Sequence, residues 1–591
     1  MTSPRPFLLL ALLLLGYLLW EQWRTDYGPQ ALPAPATSTA PAADVAPAAI
    51  PLDDVPTASA ASGEVPATPR PEAAAPAGQR IVVATDVLRV EIDTRGGNVV
   101  IADLLAYPQQ PKQPQPVRLL DDSANGYFVA NSGLVSAQGA PAAPDHNASF
   151  TAAATEYALA AGQDRVEVPL TWQSDAGLTV RKIYTFERGS YVIGQRQEIV
   201  NQGAAPWTGN AYRELRRVPL TVDKRGLKGY TNPEQYSFVG AAWYSPQHKF
   251  QKFAFDKFKN DPTSMTVTPL PGTEGWAWRD WWFKRVKVPA DAGWIAQVQH
   301  YFFAAWIPAA DETSEFSRTE LPSPTGTRYV VRSVAPSTTV APGETRALES
   351  RLYVGPKIQS TLDDVAPGLS LTANYGIFTF ISAPLHWVLD KLHALTGNWG
   401  FAIILLVLLI KAVFYKLSEA QYRSMARMRK VAPRMQALKE RYGDDRQKLN
   451  QAMLELYQKE KINPLGGCLP MLIQIPVFFA LYWVLIESVE LRQAPFIGWI
   501  QNLSAPDPYF VLPILNAAAM LLTQHLTPMT GMDPTQAKIM KFMPVAFSVL
   551  FAFFPAGLVL YWATNAILSL IQQYIITKRV EAGEQTKPAK A

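Results

Sequence analysis

Hydrophobic and polar positions change their spacing several times along this chain. From Arg80 apolar and polar residues alternate, as in RIVVATDVLRVEIDTRGGNVVIADL, where TRGG supplies a turn. RVEVPLTWQS, LTVRKIYTFE, YVIGQRQEIVN, RYVVRSVAP and TRALESRLYVG keep that two-residue period, with turn residues between them at irregular intervals. Residues 80 to about 356 therefore predict one large antiparallel β domain of the sandwich class. Trp276, Trp278, Trp281 and Trp282 are candidates for a ligand groove there, although core packing is the ordinary role for such rings.

ISAPLHWVLDKLHALTG then takes up a helical period. Ile381, Leu385, Val388, Leu389, Leu392 and Leu395 share one face, and His386, Asp390, Lys391 and His393 take the other. Such a helix either lies in a membrane interface or packs on protein.

Apolar runs follow. Residues 399–417 make 19 residues, enough to cross about 30 Å of hydrocarbon at 1.5 Å each. Residues 467–486 and 509–526 hold no charge, and 542–576 run 35 residues without one. A single helix of that last length would reach roughly 50 Å, too far for one crossing. FPAG at 554–557 divides it into two arms. Near the start, FLLLALLLLGYLLW at 7–20 is a membrane anchor or a signal-peptide core; Trp20 and Trp23 favour the anchor, APA at 34–36 a cleavage site. Residues 29–76 are Pro/Ala-rich with little aromatic or β-branched content, and so predict a tether.

Between two spans, Met428, Val431, Met435, Leu438 and Tyr442 step by three and four, a coiled-coil seam. YGDD ends that helix and offers Asp444 or Asp445 to cap another, on which Leu449, Met453 and Leu456 continue the apolar face. A basic helical hairpin results, with Pro433 expected to kink its first arm.

Charge orients the runs. Residues 416–466 carry twelve Lys/Arg against six Asp/Glu, whereas 487–508 carry three acids against one arginine. Two lysines and one aspartate lie in 527–541, and the tail after Ile576 is basic. Six crossings with both termini in the cytoplasm and the β domain outside satisfy the positive-inside pattern. At 591 residues, 17% charged and net +5, the composition gives no sign of a nucleic-acid partner. One cysteine excludes an intramolecular disulfide framework. HExxH, CxxC, GxGxxG, GxxxxGK[ST] and GxSxG are all missing, so no metal, cofactor or catalytic residue is expected.

One cation breaks the apolar runs. In ILLVLLIKAVF, Lys411 follows eleven uncharged residues from Gly400 to Ile410. Its stem can snorkel about 9 Å to the cytoplasmic end of the run, or its ammonium can face an internal wet cavity. Gln474, Asn516, Gln524, Thr564 and Asn565 also fall in apolar runs, and their number favours the cavity. A transporter or channel, or a membrane-anchored periplasmic binding protein, remain alternative readings of these features.

EAQYRSMARMR, NPLGGCLPMLIQIPVFFALYW, SVELRQAPFIGWI, DPYFVLPIL, KIMKFMPVAF and FPAGLVLYW together resemble the YidC-type membrane protein insertases. The tether followed by TDVLRVEIDTRGG resembles the long form of Gram-negative bacteria, which has a large periplasmic domain. The resemblance implies a multi-domain membrane protein, not an enzyme. Its parts are an anchor at 1–28, a linker at 29–79, a supersandwich-like periplasmic β-sandwich at 80–360 and a connector at 361–398. A five-helix core at 399–577, including a cytoplasmic hairpin at 418–462, and a basic tail at 578–591 complete six transmembrane helices in the inner membrane. It further implies insertion and folding of nascent membrane proteins, alone or with the Sec translocon, through a hydrophilic groove open to cytoplasm and lipid. The ribosome and the bilayer are the other implied partners. A single groove arginine of the family corresponds to Lys411 here, a departure. Tyr561 and Trp562 occupy positions where the family lines its groove, and Gln474, Asn516 and Asn565 are further candidates. Shorter relatives lack the β domain, which implies that it is dispensable for basic insertion.

Overall fold

The computed structural model describes residues 78–219, 237–260, 263–279, 282–288, 290–324, 326–373, 375–443, 445–460, 469–526, 542–543 and 546–585. The expected anchor and nearly all of the tether lie outside the described residues. The alternating segments form two large sheets. Among the described residues one sheet has eleven strands, ordered from Ser264–Val267 at one edge through Trp207–Arg217, Phe128–Ser136, Asn98–Pro108 and Leu88–Asp93 to Glu156–Ala158. The other has nine, ordered from Lys249–Ala254 through Trp294–Val298, Phe302–Pro308, Thr345–Pro356, Val192–Asn201 and Leu178–Glu187 to Thr151–Ala152. Pairing is antiparallel throughout except between Arg80–Ala84 and Glu156–Ala158. The sheets pack face to face: Val90, Phe128 and Leu215 of one share a core with Tyr184, Trp306 and Leu352 of the other. The TRGG turn works because Gly96 and Gly97 both hold positive φ, +73° and +58°. A Cβ on Gly96 would meet the His146 carbonyl oxygen at 2.1 Å.

Thr273–Arg279 and Trp282–Val288 pair as a separate two-stranded hairpin. The side chains of Trp276, Trp278 and Trp282, and all of Trp281, lie outside the described residues. After the last strand, helix α1 (Gln359–Val365) still belongs to the β domain, because Leu362, Ala366 and Leu369 pack on Trp294 and Tyr353.

Helix α2 (Thr379–Thr396) packs on helices α3 (Trp399–Val413) and α6 (Leu469–Glu487). Most of the expected face packs: Leu389 is in the helical core, and Leu385, Val388 and Leu392 lie against it. The face differs at its edges. Ser382, His386 and Leu389 are buried, whereas Leu395 is 79% exposed. The contact stripe includes His386 because Glu490 lies 3.9 Å from its Nε2, and Ser382 donates to the Ala480 carbonyl at 3.2 Å. Apolar spacing found the leucines of this face but not the two polar residues that bury beside them.

The run at 399–417 is not one helix. α3 ends at Phe414 and bends by 68° into α4 (Tyr415–Tyr442). α4 continues through Pro433 and folds back on α5 (Arg446–Lys459) as a hairpin. Val431 and Met435 bury against Met453, Leu456 and Tyr457, and Arg434 pairs with Glu460 at 2.5 Å. Asp445 caps α5, accepting from the amides of Gln447 and Lys448 at 3.2 and 3.0 Å.

α7 (Val511–Leu526) and α8 (Ala556–Gln585) complete the described helical part. FPAG does break the long run: residues 546–551 are helical, 552–554 turn, and α8 starts at Ala556. The freed amides of Ala556 and Gly557 donate to the Ala505 and Leu503 carbonyls at 2.7 and 2.8 Å. Of the described helices, Ala556–Val580 is long and apolar enough alone to cross a membrane, and the bent α3–α4 pair passes jointly.

A segment after α6 joins the two halves of the molecule. Val489 sits in the sandwich core. Lys357 Nζ lies 3.2 Å from Glu487 Oε2, and His300 Nε2 lies 3.1 Å from the Ile486 carbonyl. Gln493 Nε2 and Arg492 Nη2 donate to the carbonyls of Pro108 and Gln109 at 2.9 and 3.2 Å.

Candidate functional site

α3 forms because Asn398 caps it, its side chain accepting from the amides of Gly400 and Phe401, and because nothing polar interrupts its next turns. Its buried stripe is Trp399, Ile403 and Val407, spaced by four. Lys411 is the next residue at that spacing and is 7% exposed. Phe401, Leu408, Leu409 and Val413 take the exposed side. The lysine therefore points into the helical assembly. It does not run outward along the helix axis, and the bend at Phe414 leaves no straight helix end for it to follow.

Its ammonium reaches α8, where Lys411 Nζ donates to Ser569 Oγ at 2.6 Å. Ser569 Oγ in turn donates to the Asn565 carbonyl, one turn earlier, at 2.6 Å. Asn565 Oδ1 accepts from Gln474 Nε2 of α6 at 3.4 Å. A chain of polar groups thus links α3, α8 and α6. The Tyr422 hydroxyl of α4 lies beside the same Ser569. Among the described residues no carboxylate stands within ion-pair distance of Lys411. A buried cation with hydroxyl solvation and no counter-charge is an attractor for anions.

Tyr561 and Trp562 lie nearer the start of α8, about 10–12 Å from Ser569 by helical rise. Both are buried, at 4% and 9% exposure. Trp562 stacks on Phe551 at 3.9 Å between centroids and on Phe478 at 5.8 Å. Its indole N–H has no partner among the described residues. Tyr561 packs on Phe478 at 6.1 Å. Asn516 does not join the chain: it is 1% exposed on α7, and among the described residues its amide donates to the Met520 sulfur at 3.5 Å. Four of the expected residues, Lys411, Gln474, Asn565 and Trp562, therefore address one face of α8 or lie on it.

Ser569 escaped the reading of the sequence. A serine in NAILSLIQQ has the composition of an ordinary helix interior. The available signal was spacing, since Asn565, Ser569 and Gln573 recur every four residues on one side of α8.

Residues 80–388 match the family described as YidC periplasmic domain, and residues 391–584 the family described as 60Kd inner membrane protein. A relative from Thioalkalivibrio sulfidiphilus, named membrane protein insertase YidC, is 46% identical over 98% of this chain and 99% of its own. One of the same name from Methylococcus capsulatus is 45% identical over 95% and 96%. A solved structure titled as an active YidC insertase with its first transmembrane domain resolved overlaps 85% of this chain and 93% of its own, at 19% identity and TM-score 0.36.

Proposed function

The chain belongs to the YidC family of membrane protein insertases, and from that premise we propose that clients enter the membrane through a hydrophilic groove whose cation is Lys411. The protein is an inner-membrane insertase with a periplasmic β domain and a helical core, and its substrates are nascent membrane proteins. The observation that carries the groove reading is the buried Lys411 ammonium, bonded to Ser569 and lacking a carboxylate among the described residues.

The solvent explains the mechanism. Each unsatisfied backbone group of a polar tail costs several kcal/mol in hydrocarbon. α3 and α7, at 15 and 16 residues, rise only about 22–24 Å. Helices that short favour a locally thin membrane. A groove wetted from the cytoplasm, next to Gln474, Asn565 and Lys411, shortens the dry path further. The cation attracts acidic residues of the tail, and the following apolar segment leaves sideways into lipid, which drives the step. Tyr561 and Trp562 offer an amphipathic surface to the sliding segment, and Asn516 a further polar group. No nucleotide is required.

The topology that suits this reading has six transmembrane helices, counting the anchor at 1–28, with both termini cytoplasmic. The helical hairpin is then cytoplasmic and receives the client or the ribosome, and the Sec translocon is the lateral partner. Proteoliposomes holding the full-length protein test the groove with a pair of clients that differ only in tail acidity. Lys411→Arg should insert both clients, whereas Lys411→Ala and Lys411→Glu should fail with the acidic tail. Wild-type insertion of the acidic-tailed client by Lys411→Ala would remove Lys411 from the mechanism.

A further inference from the structure

We propose that Ser569 is a positioning residue for insertion: its hydroxyl holds the Lys411 ammonium in place and so sets the preference for acidic-tailed clients. The proposal rests on the reading of Lys411 as the groove cation.

A lysine side chain has a flexible four-carbon stem and three equivalent donors, so burial alone does not fix where its charge sits. Ser569 fixes it. The hydroxyl hydrogen is committed to the Asn565 carbonyl at 2.6 Å, so toward Lys411 the oxygen can only accept. The 2.6 Å contact from Lys411 Nζ is short for a charge-assisted bond. One ammonium hydrogen is used there, and the remaining donors are left for an arriving carboxylate. The same oxygen stands beside Tyr422, at the base of the hairpin arm that leaves α3 through the 68° bend. Ser569 is thus where the cation, α8 and the root of the hairpin meet. An alanine there removes the acceptor but keeps the helix and almost all of the packing.

The test is a double-mutant cycle in proteoliposomes with full-length protein and two clients, one acidic-tailed and one neutral-tailed. Ser569→Ala is expected to slow the acidic-tailed client on the order of tenfold, the worth of a hydrogen bond to a charged group, and to leave the neutral one unchanged. Ser569→Thr, which keeps the hydroxyl, is expected to restore the rate. In a Lys411→Ala background Ser569→Ala should add nothing, because the group it positions is gone. Equal slowing of both clients, or an additive loss in that background, would mean a structural role and overturn the proposal. Slowing by Lys411→Ala but not by Ser569→Ala would overturn it while leaving the groove cation intact. If Lys411→Ala has no effect on the acidic client, the groove reading falls and this proposal with it.

Discussion

Lys357→Met tests how the β domain is fastened to the helical core. The Lys357 and Glu487 side chains are 1% and 2% exposed and 3.2 Å apart. Methionine keeps most of the stem and its packing but leaves the Glu487 carboxylate buried without its cation. Breaking one side of a buried pair costs about 3–5 kcal/mol, whereas replacing both sides with apolar groups is often neutral. The cost falls on the segment after α6, where Ser488 and Arg492 amides bond to the Val484 and Val489 carbonyls at 3.1 and 3.0 Å. Hydrogen exchange on full-length protein in nanodiscs reads that local opening. A loss of about 3 kcal/mol accelerates exchange there roughly a hundredfold. Lys357→Met with Glu487→Leu should return it to near the wild-type rate. An unchanged rate in the single variant, or a double variant as labile as the single, would refute the reasoning. The dispensability implied by shorter relatives meets the same junction: excising residues 80–359 removes Lys357 and His300 and uncovers Val489, so a shortened chain should regain protection on adding Glu487→Leu.

The junction should also loosen in mild acid. Burial holds the His300 imidazole down to about 4, against a usual value near 6.5, with Glu487 opposing and Lys357 reinforcing the shift. The neutral ring is the one favoured in the fold, so its stabilisation is complete above pH 6.5 and is lost as pH falls from there toward 4. At pH 5 the loss is about 2 kcal/mol, and exchange at 486–493, corrected for intrinsic rates, should rise in wild type but not in His300→Gln; identical pH profiles would refute this. Asp507 is 1% exposed and accepts from the Trp499 indole and the amides of Tyr509 and Leu512 at 3.0, 3.1 and 2.8 Å. Asp507→Ala should therefore free the first turn of α7 by about 2 kcal/mol, read as faster exchange over 509–514, while Asp507→Asn should retain most of the protection.

Local pattern was enough wherever one element's own spacing carried the information. Half-buried strands such as Leu178–Glu187 alternate buried and accessible positions and were legible from the two-residue period. The hairpin seam named Val431, Met435, Met453 and Leu456, which do form its core. FPAG announced the break before α8, since proline cannot donate within a helix. Lys411 was visible as an anomaly in its apolar run, and so were Gln474 and Asn565. Tertiary structure decided what depends on partners distant in the chain. Trp207–Arg217 is buried on both faces although it carries Arg213, Glu214, Arg216 and Arg217. Glu214 is held between Arg216 and Arg332 at 2.5 and 2.9 Å, a balance of charge that no period reveals. The burial of Ser382 and His386 on α2, the Lys357–Glu487 pair 130 residues apart and the 158-residue step from Lys411 to Ser569 belong to the same class. A residue's spacing fixes the side of its own helix or strand it occupies, but its partner is chosen by the packing of elements against one another. That packing alone turned a lone lysine into a bonded, inward-facing charge.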